Sequence, residues 1–135
     1  MDLGLLYTEE QVKAAISESR EILKSYRRLR VIKRLKFPYY KSPIITDMPR
    51  GGNGKIDAEL DKYIEVVSRI DHIERCVARC ELTQSIILQR KFLDATEYSQ
   101  PKLAQLSGYS SSRYNDYLRS GYLQFLAAYK IVKTS

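Results

Sequence analysis

Three of the four prolines and three of the six glycines in this 135-residue chain fall between Phe37 and Lys55. Proline removes a backbone donor and clashes with the preceding turn, so the run FPYYKSPIITDMPRGGNGK cannot be a regular helix. To either side of it apolar residues recur at intervals of three and four, the period of an amphipathic helix. The expectation is an all-α protein. A long N-terminal helical hairpin takes residues 1–81, with 37–55 as its connector, and a C-terminal trihelical helix-turn-helix module takes residues 82–135. A chain of this length buries a core without disulfide or metal staples.

Thr8 opens the first helix with a T-x-x-Q capping box to Gln11, and Tyr7 can staple against Val12. Val12, Ala15/Ile16, Ser19, Ile22/Leu23, Tyr26 and Leu29 form its stripe, to about Leu35. A second long helix reads from a cap at Asp57 to about Glu81, with Leu60, Tyr63/Ile64, Val67, Ile70, Ile73, Val77 and Cys80 inward. The two stripes cover each other most simply as an antiparallel pair. An intermolecular coiled coil would bury the same residues, so monomer and homodimer both stay open. Ile44, Ile45 and Met48 are too apolar for a free linker and lay the connector across the helices. Thr83 reads as the cap of a third helix with Ile87, Leu88 and Phe92 inward.

From Tyr98 to Tyr129 the pattern becomes two helices and a tight turn. Ser99 is the cap and Pro101 falls in the first turn, where a missing N–H is harmless. Leu103, Ala104 and Leu106 make a short apolar face, ended by Gly108, the residue type that accepts a left-handed C-cap. Tyr109 follows as an apolar plug. Ser110 then caps a helix whose inward positions are Tyr114, Tyr117/Leu118, Tyr122 and Phe125. A small residue at Ala104 and a Gly four positions later suit a close crossing with a sharp turn, as a DNA-reading helix-turn-helix requires. Removing the inward positions leaves Ser111, Ser112, Arg113, Asn115, Asp116 and Arg119 outward, with Ser110 and Lys102 beside them. Hydroxyl, guanidinium and amide groups bond phosphates and base edges, and Asp116 could accept from a cytosine amino group. A hairpin that merely packs would show the same polar face to solvent.

The formal net charge is +7, unevenly spread. Residues 1–56 carry 12 Lys/Arg against 6 Asp/Glu, residues 57–98 carry 6 against 9, and residues 99–135 carry 5 against 1. Seven cations crowd the thirteen residues Lys24–Lys36, more than complementing a helix dipole requires. Lys24, Arg27, Arg28, Arg30, Lys33 and Arg34 are thus candidate contacts for backbone phosphate or RNA polymerase, with a solvated face as the bland alternative.

Other chemistries lack their residues. Gly51-Gly52-Asn53-Gly54-Lys55 has neither the spacing of a phosphate-binding loop nor a strand leading into it. His72, Cys76 and Cys80 follow at steps of four, but eight residues of helix rise about 12 Å, too far to share one ion. The thiols read as reduced core residues of a cytoplasmic protein, and no metal, cofactor or catalytic set is expected. No run approaches the roughly 20 apolar residues of a membrane helix, and MDLGLLYTEEQ lacks the features of a secretory signal.

Two resemblances add to this. IILQRKF followed by LAQLSGYSSSRYNDYLRSGYLQF resembles region 4 of bacterial sigma factors, which reads the −35 promoter element, with Gly121 where that family usually places Ala. It implies that Ser111, Ser112, Arg113, Asn115 and Asp116 face the DNA groove, Arg113 being the best match to a recognition-helix cation. The whole chain is similar to phage and prophage late-gene regulators of the ArpU type, through SPIITDMPRGG at Ser42–Gly52, the Lys55–Tyr63 helix start and the terminal module. That resemblance implies an activator of late, lytic genes acting on double-stranded DNA with host RNA polymerase, in a bacterial cytoplasm. A small-terminase-like packaging protein, or a protein-binding helical module without its own DNA affinity, would use the same elements.

Overall fold

The computed structural model describes residues 8–37 and 54–134, and within them the side chains of 8–37 and 58–131. All regular structure in the described residues is helical: α1 Glu9–Lys36, α2 Gly54–Ala78, α3 Leu82–Leu88, α4 Gln100–Ser107 and α5 Ser111–Thr134. The all-α expectation holds.

Helix α1 begins as its sequence dictates. Thr8 Oγ1 accepts the Gln11 N–H at 3.2 Å and Gln11 Oε1 accepts the Thr8 N–H at 2.9 Å, the reciprocal capping box. Val12, Ser19, Leu23, Tyr26 and Leu29 are its buried residues; Tyr7, the expected staple partner of Val12, lies outside the described residues. Helix α2 departs at both ends. It starts at Gly54, so Asp57 lies within its first turn instead of capping it, and it stops at Ala78, short of Glu81. Asp is favoured both at a cap and in the first turn, where it meets the helix dipole, so residue type alone did not place that boundary. The connector reading at 38–53 lies outside the described residues.

The start of α3 differs too. Thr83 sits inside the first turn, and the capping position is Glu81, whose side chain makes no local cap bond. A distant residue substitutes: Gln124 of α5 accepts the Glu81 N–H at 2.9 Å and donates to the Glu81 carboxylate at 3.2 Å. Helix α3 runs on into a π-helical turn, Gln89–Leu93, which the sequence pattern did not foretell. Ile87, Leu88 and Phe92 are nevertheless inward, as their spacing requires.

One buried cluster runs through every helix. It joins Leu23 and Tyr26 of α1, Ile73 and Val77 of α2, Leu88 and Phe92, Leu103 of α4, and Tyr114 and Phe125 of α5. Each such side chain, fully buried, is worth roughly 1.5–3 kcal/mol relative to exposure. Helix α1 lies against both α2 and α5. Phe37 meets Tyr63 edge-on at 5.5 Å and Tyr26 bonds Glu74 at 2.9 Å, so contacts advance along α2 as they retreat along α1. Helices α3 and α5 approach closely at Gly121, where a Cβ would stand 3.4 Å from Leu88 Cγ. His72 stacks on Tyr129 at 4.3 Å, Cys76 is fully buried, and Cys80 is half-buried. No helix among the described residues is long and apolar enough to cross a membrane.

Candidate nucleic-acid interface

Helices α4 and α5 owe their mutual setting to local bonds. Ser99 caps α4 by accepting the Lys102 N–H at 3.4 Å, with Pro101 in the first turn. Gly108 ends it in the left-handed region at φ 80°, its N–H donating to the Gln105 carbonyl at 3.2 Å. Ser107 Oγ donates back to the Ala104 carbonyl and accepts the Tyr109 N–H. Ser110 then caps α5 by accepting the Arg113 N–H at 3.2 Å. Tyr109 is a half-buried plug packed on Tyr117, 4.9 Å between ring centres.

Inward residues are those the period selects: Leu103, Ala104, Tyr114, Leu118, Tyr122 and Phe125 are buried. Leu106 is the exception, 47% exposed. It lies two positions past Ala104, about 200° around the helix, and so on the face turned away from the buried Ala104.

Ser110, Ser111, Ser112, Arg113, Asn115, Asp116, Arg119 and Lys102 are all exposed. They do not form one surface. Ser112 and Asp116, four apart, point most directly away from the core. Arg113 stands on one flank of that line, while Asn115 and Arg119 stand on the other. Asn115 accepts a hydrogen bond from Gln100 of α4, and with Arg119 it lines a cleft facing α1. Its amide serves the helix pair as well as any ligand.

The six candidate cations of α1 also separate. Lys24 enters the cleft beside Asn115 and Arg119. Arg27 is engaged inside the fold: its Nε and one Nη donate to the Asp94 carbonyl at 3.1 and 3.0 Å, and it lies 3.8 Å from the Glu97 carboxylate. Arg30, Lys33 and Arg34 line a hollow of about 690 Å³ with Tyr26 and Phe37, Arg30 resting 5.9 Å over the Tyr26 ring. Arg28 is exposed. Arg20, Lys91 and Gln100 complete the cleft and were not singled out in the sequence. A signal existed for Arg20, one helical turn before Lys24 and so on the same face; Lys91 carried none, because the π-helical turn sets its direction.

No family model matches the chain, and no solved structure matches it. Over 128 residues, 93% of this chain and 93% of the relative, it is 28% identical to the protein named "Putative autolysin regulatory protein ArpU" of Enterococcus hirae. A span that long reaches every helix described above. The similarity supports kinship with an ArpU-type regulatory protein, and it extends along nearly the whole sequence instead of one helix pair.

Proposed function

We propose that this protein is a DNA-binding transcription regulator, of the phage or prophage kind that activates late, lytic genes together with host RNA polymerase. The observation that carries the reading is the start of α5: a capped helix on a packed base, offering Ser111, Ser112, Arg113 and Asp116 outward. Such a helix supplies donors and an acceptor for base edges in a major groove, and cations on its flanks supply attraction to phosphate. The relative's name makes it a regulator of an autolysin, and control of a lytic gene is the reading carried to this chain. Arg30, Lys33 and Arg34, away from the α5 start, are the surface we assign to further phosphate or to polymerase.

DNase footprinting on DNA flanking the protein's own gene, across a salt series, tests it. A discrete protected site, lost in Arg113→Ala, is the expected result. Uniform coating with steep salt dependence would reduce the binding to phosphate attraction and overturn direct readout.

A further inference from the structure

Between α1, the π-helical turn and the second turn of α5 lies a cleft of about 500 Å³. Four cations from three elements line it: Arg20 and Lys24 of α1, Lys91 of the π-helical turn, and Arg119 of α5. Its floor is apolar, from Phe92, Leu118 and Tyr122, and no carboxylate is among its lining residues.

Arg20 and Lys91 are held in place without being neutralised. Arg20 rests 5.5 Å over the Tyr122 ring, and the Lys91 ammonium lies 5.7 Å from the Phe92 ring. Lys91 Nζ also donates to Gln100 Oε1 at 3.3 Å, and Gln100 is fixed in turn by donating to Asn115. Aromatic faces and amides orient a cation while leaving its charge available. Arg27, by contrast, meets carbonyls and Glu97. Burial and the nearby Arg20, Lys24 and Arg27 push the Lys91 pKa below its usual value, with only Glu97 opposing. Cations assembled at the expense of their own repulsion suit an anion that arrives from outside.

We infer that this cleft is the seat of a backbone phosphate of duplex DNA, gripped by Arg20, Lys24, Lys91 and Arg119 together, so that α1 and α5 form one DNA-binding surface. A phosphodiester fits what is present: four cationic side chains line one cleft, and the apolar floor receives the flanking sugar. The inference rests on the DNA-binding reading above, and it gives α1 a task that the α4–α5 pair cannot perform alone. The cleft orients the protein on the duplex; Arg113, on the other flank of α5, is left to read sequence.

Fluorescence anisotropy with a labelled mixed-sequence duplex, over about 50 to 200 mM salt, tests it. Lys91→Gln and Arg119→Gln should each reduce the steepness of log affinity against log salt, by up to about 0.9, the value for complete loss of one phosphate contact. Arg69→Gln, an exposed cation on α2, should leave it unchanged. Thermal melting of the free protein supplies the second readout: Lys91→Gln should melt at or above wild type, since it relieves repulsion. Duplex binding with an unaltered slope in both cleft variants would overturn the phosphate seat and leave DNA binding standing. A wild-type protein that binds no duplex would overturn both. A lower slope accompanied by a clearly lower melting temperature in Lys91→Gln would also sink the inference, since the lysine would then be a structural prop.

Discussion

Arg27 and Asp94 are joined through the backbone: two nitrogens of the guanidinium converge on one carbonyl oxygen, at 3.1 and 3.0 Å. This bond ties α1 to the segment linking the π-helical turn to α4. Arg27→Ala should destabilise the protein by about 1–2 kcal/mol in urea unfolding, as expected when a charged donor leaves a carbonyl. Arg27→Lys should recover little, because an ammonium cannot reproduce the planar fork. Full recovery by Lys would show that only charge matters there.

Arg113→Ala should cost about 1–3 kcal/mol of specific binding and leave thermal stability unaltered, since the side chain is exposed and only its backbone N–H bonds Ser110. Titrating the footprinted site against a scrambled duplex checks this. An equal loss on both would reassign Arg113 to phosphate.

Gly121 is a helix-interior glycine, which is about 0.5–1 kcal/mol less stable than alanine there. A Cβ would meet Leu88 Cγ at 3.4 Å and Gln84 Cβ at 3.5 Å, ordinary contact distances. Gly121→Ala should raise the unfolding free energy by up to about 1 kcal/mol. Gly121→Leu should lower it by about 1–3 kcal/mol by forcing α3 from α5. Two losses in calorimetry would mean the helices have no slack.

Burial pushes the Cys80 thiol up to about 12 from 9.0 and the Tyr114 hydroxyl up to about 12 from 10.0. Between the ordinary and raised values the folded chain keeps a proton that the unfolded chain has lost. Stability contributed by these groups is therefore complete below about pH 9 and declines as pH rises toward about 12. Lys91 acts oppositely: its lowered pKa makes stability rise with pH up to its ordinary value of 10.5. Urea midpoints in Cys80→Ala should decline less steeply above about pH 9 than those of wild type. An identical decline would assign the alkaline loss elsewhere.

Helix period carried most of what the sequence revealed. Ser19 is polar, yet its place in the α1 stripe predicted an inward side chain, and it is fully buried. Caps were legible where the partner was local, as at Thr8, Ser99 and Ser110. They were illegible at Glu81, whose partner Gln124 lies in another helix. The site divides the same way. Exposure of Arg113 and Asp116 followed from spacing, whereas the engagement of Arg27 and the convergence of Arg20 with Lys91 depend on how elements pack. The π-helical turn compounds this, because an inserted residue rotates everything after it and no composition announces it.

The junction of α1 with α5 also governs the order in which the chain can mature. Glu18 meets Lys130 at 3.5 Å, and Arg20 lies over Tyr122, so α1, synthesised well before α5, finds these partners there. During translation Leu23 and Tyr26 find α2 first, and the cluster they join closes only when α5 emerges; closure of such distant contacts is slow. The nascent protein is most vulnerable to aggregation and proteolysis in that interval. A ribosome stalled before α5 would hold an incomplete core, so that a closed core and escape from degradation would arrive together.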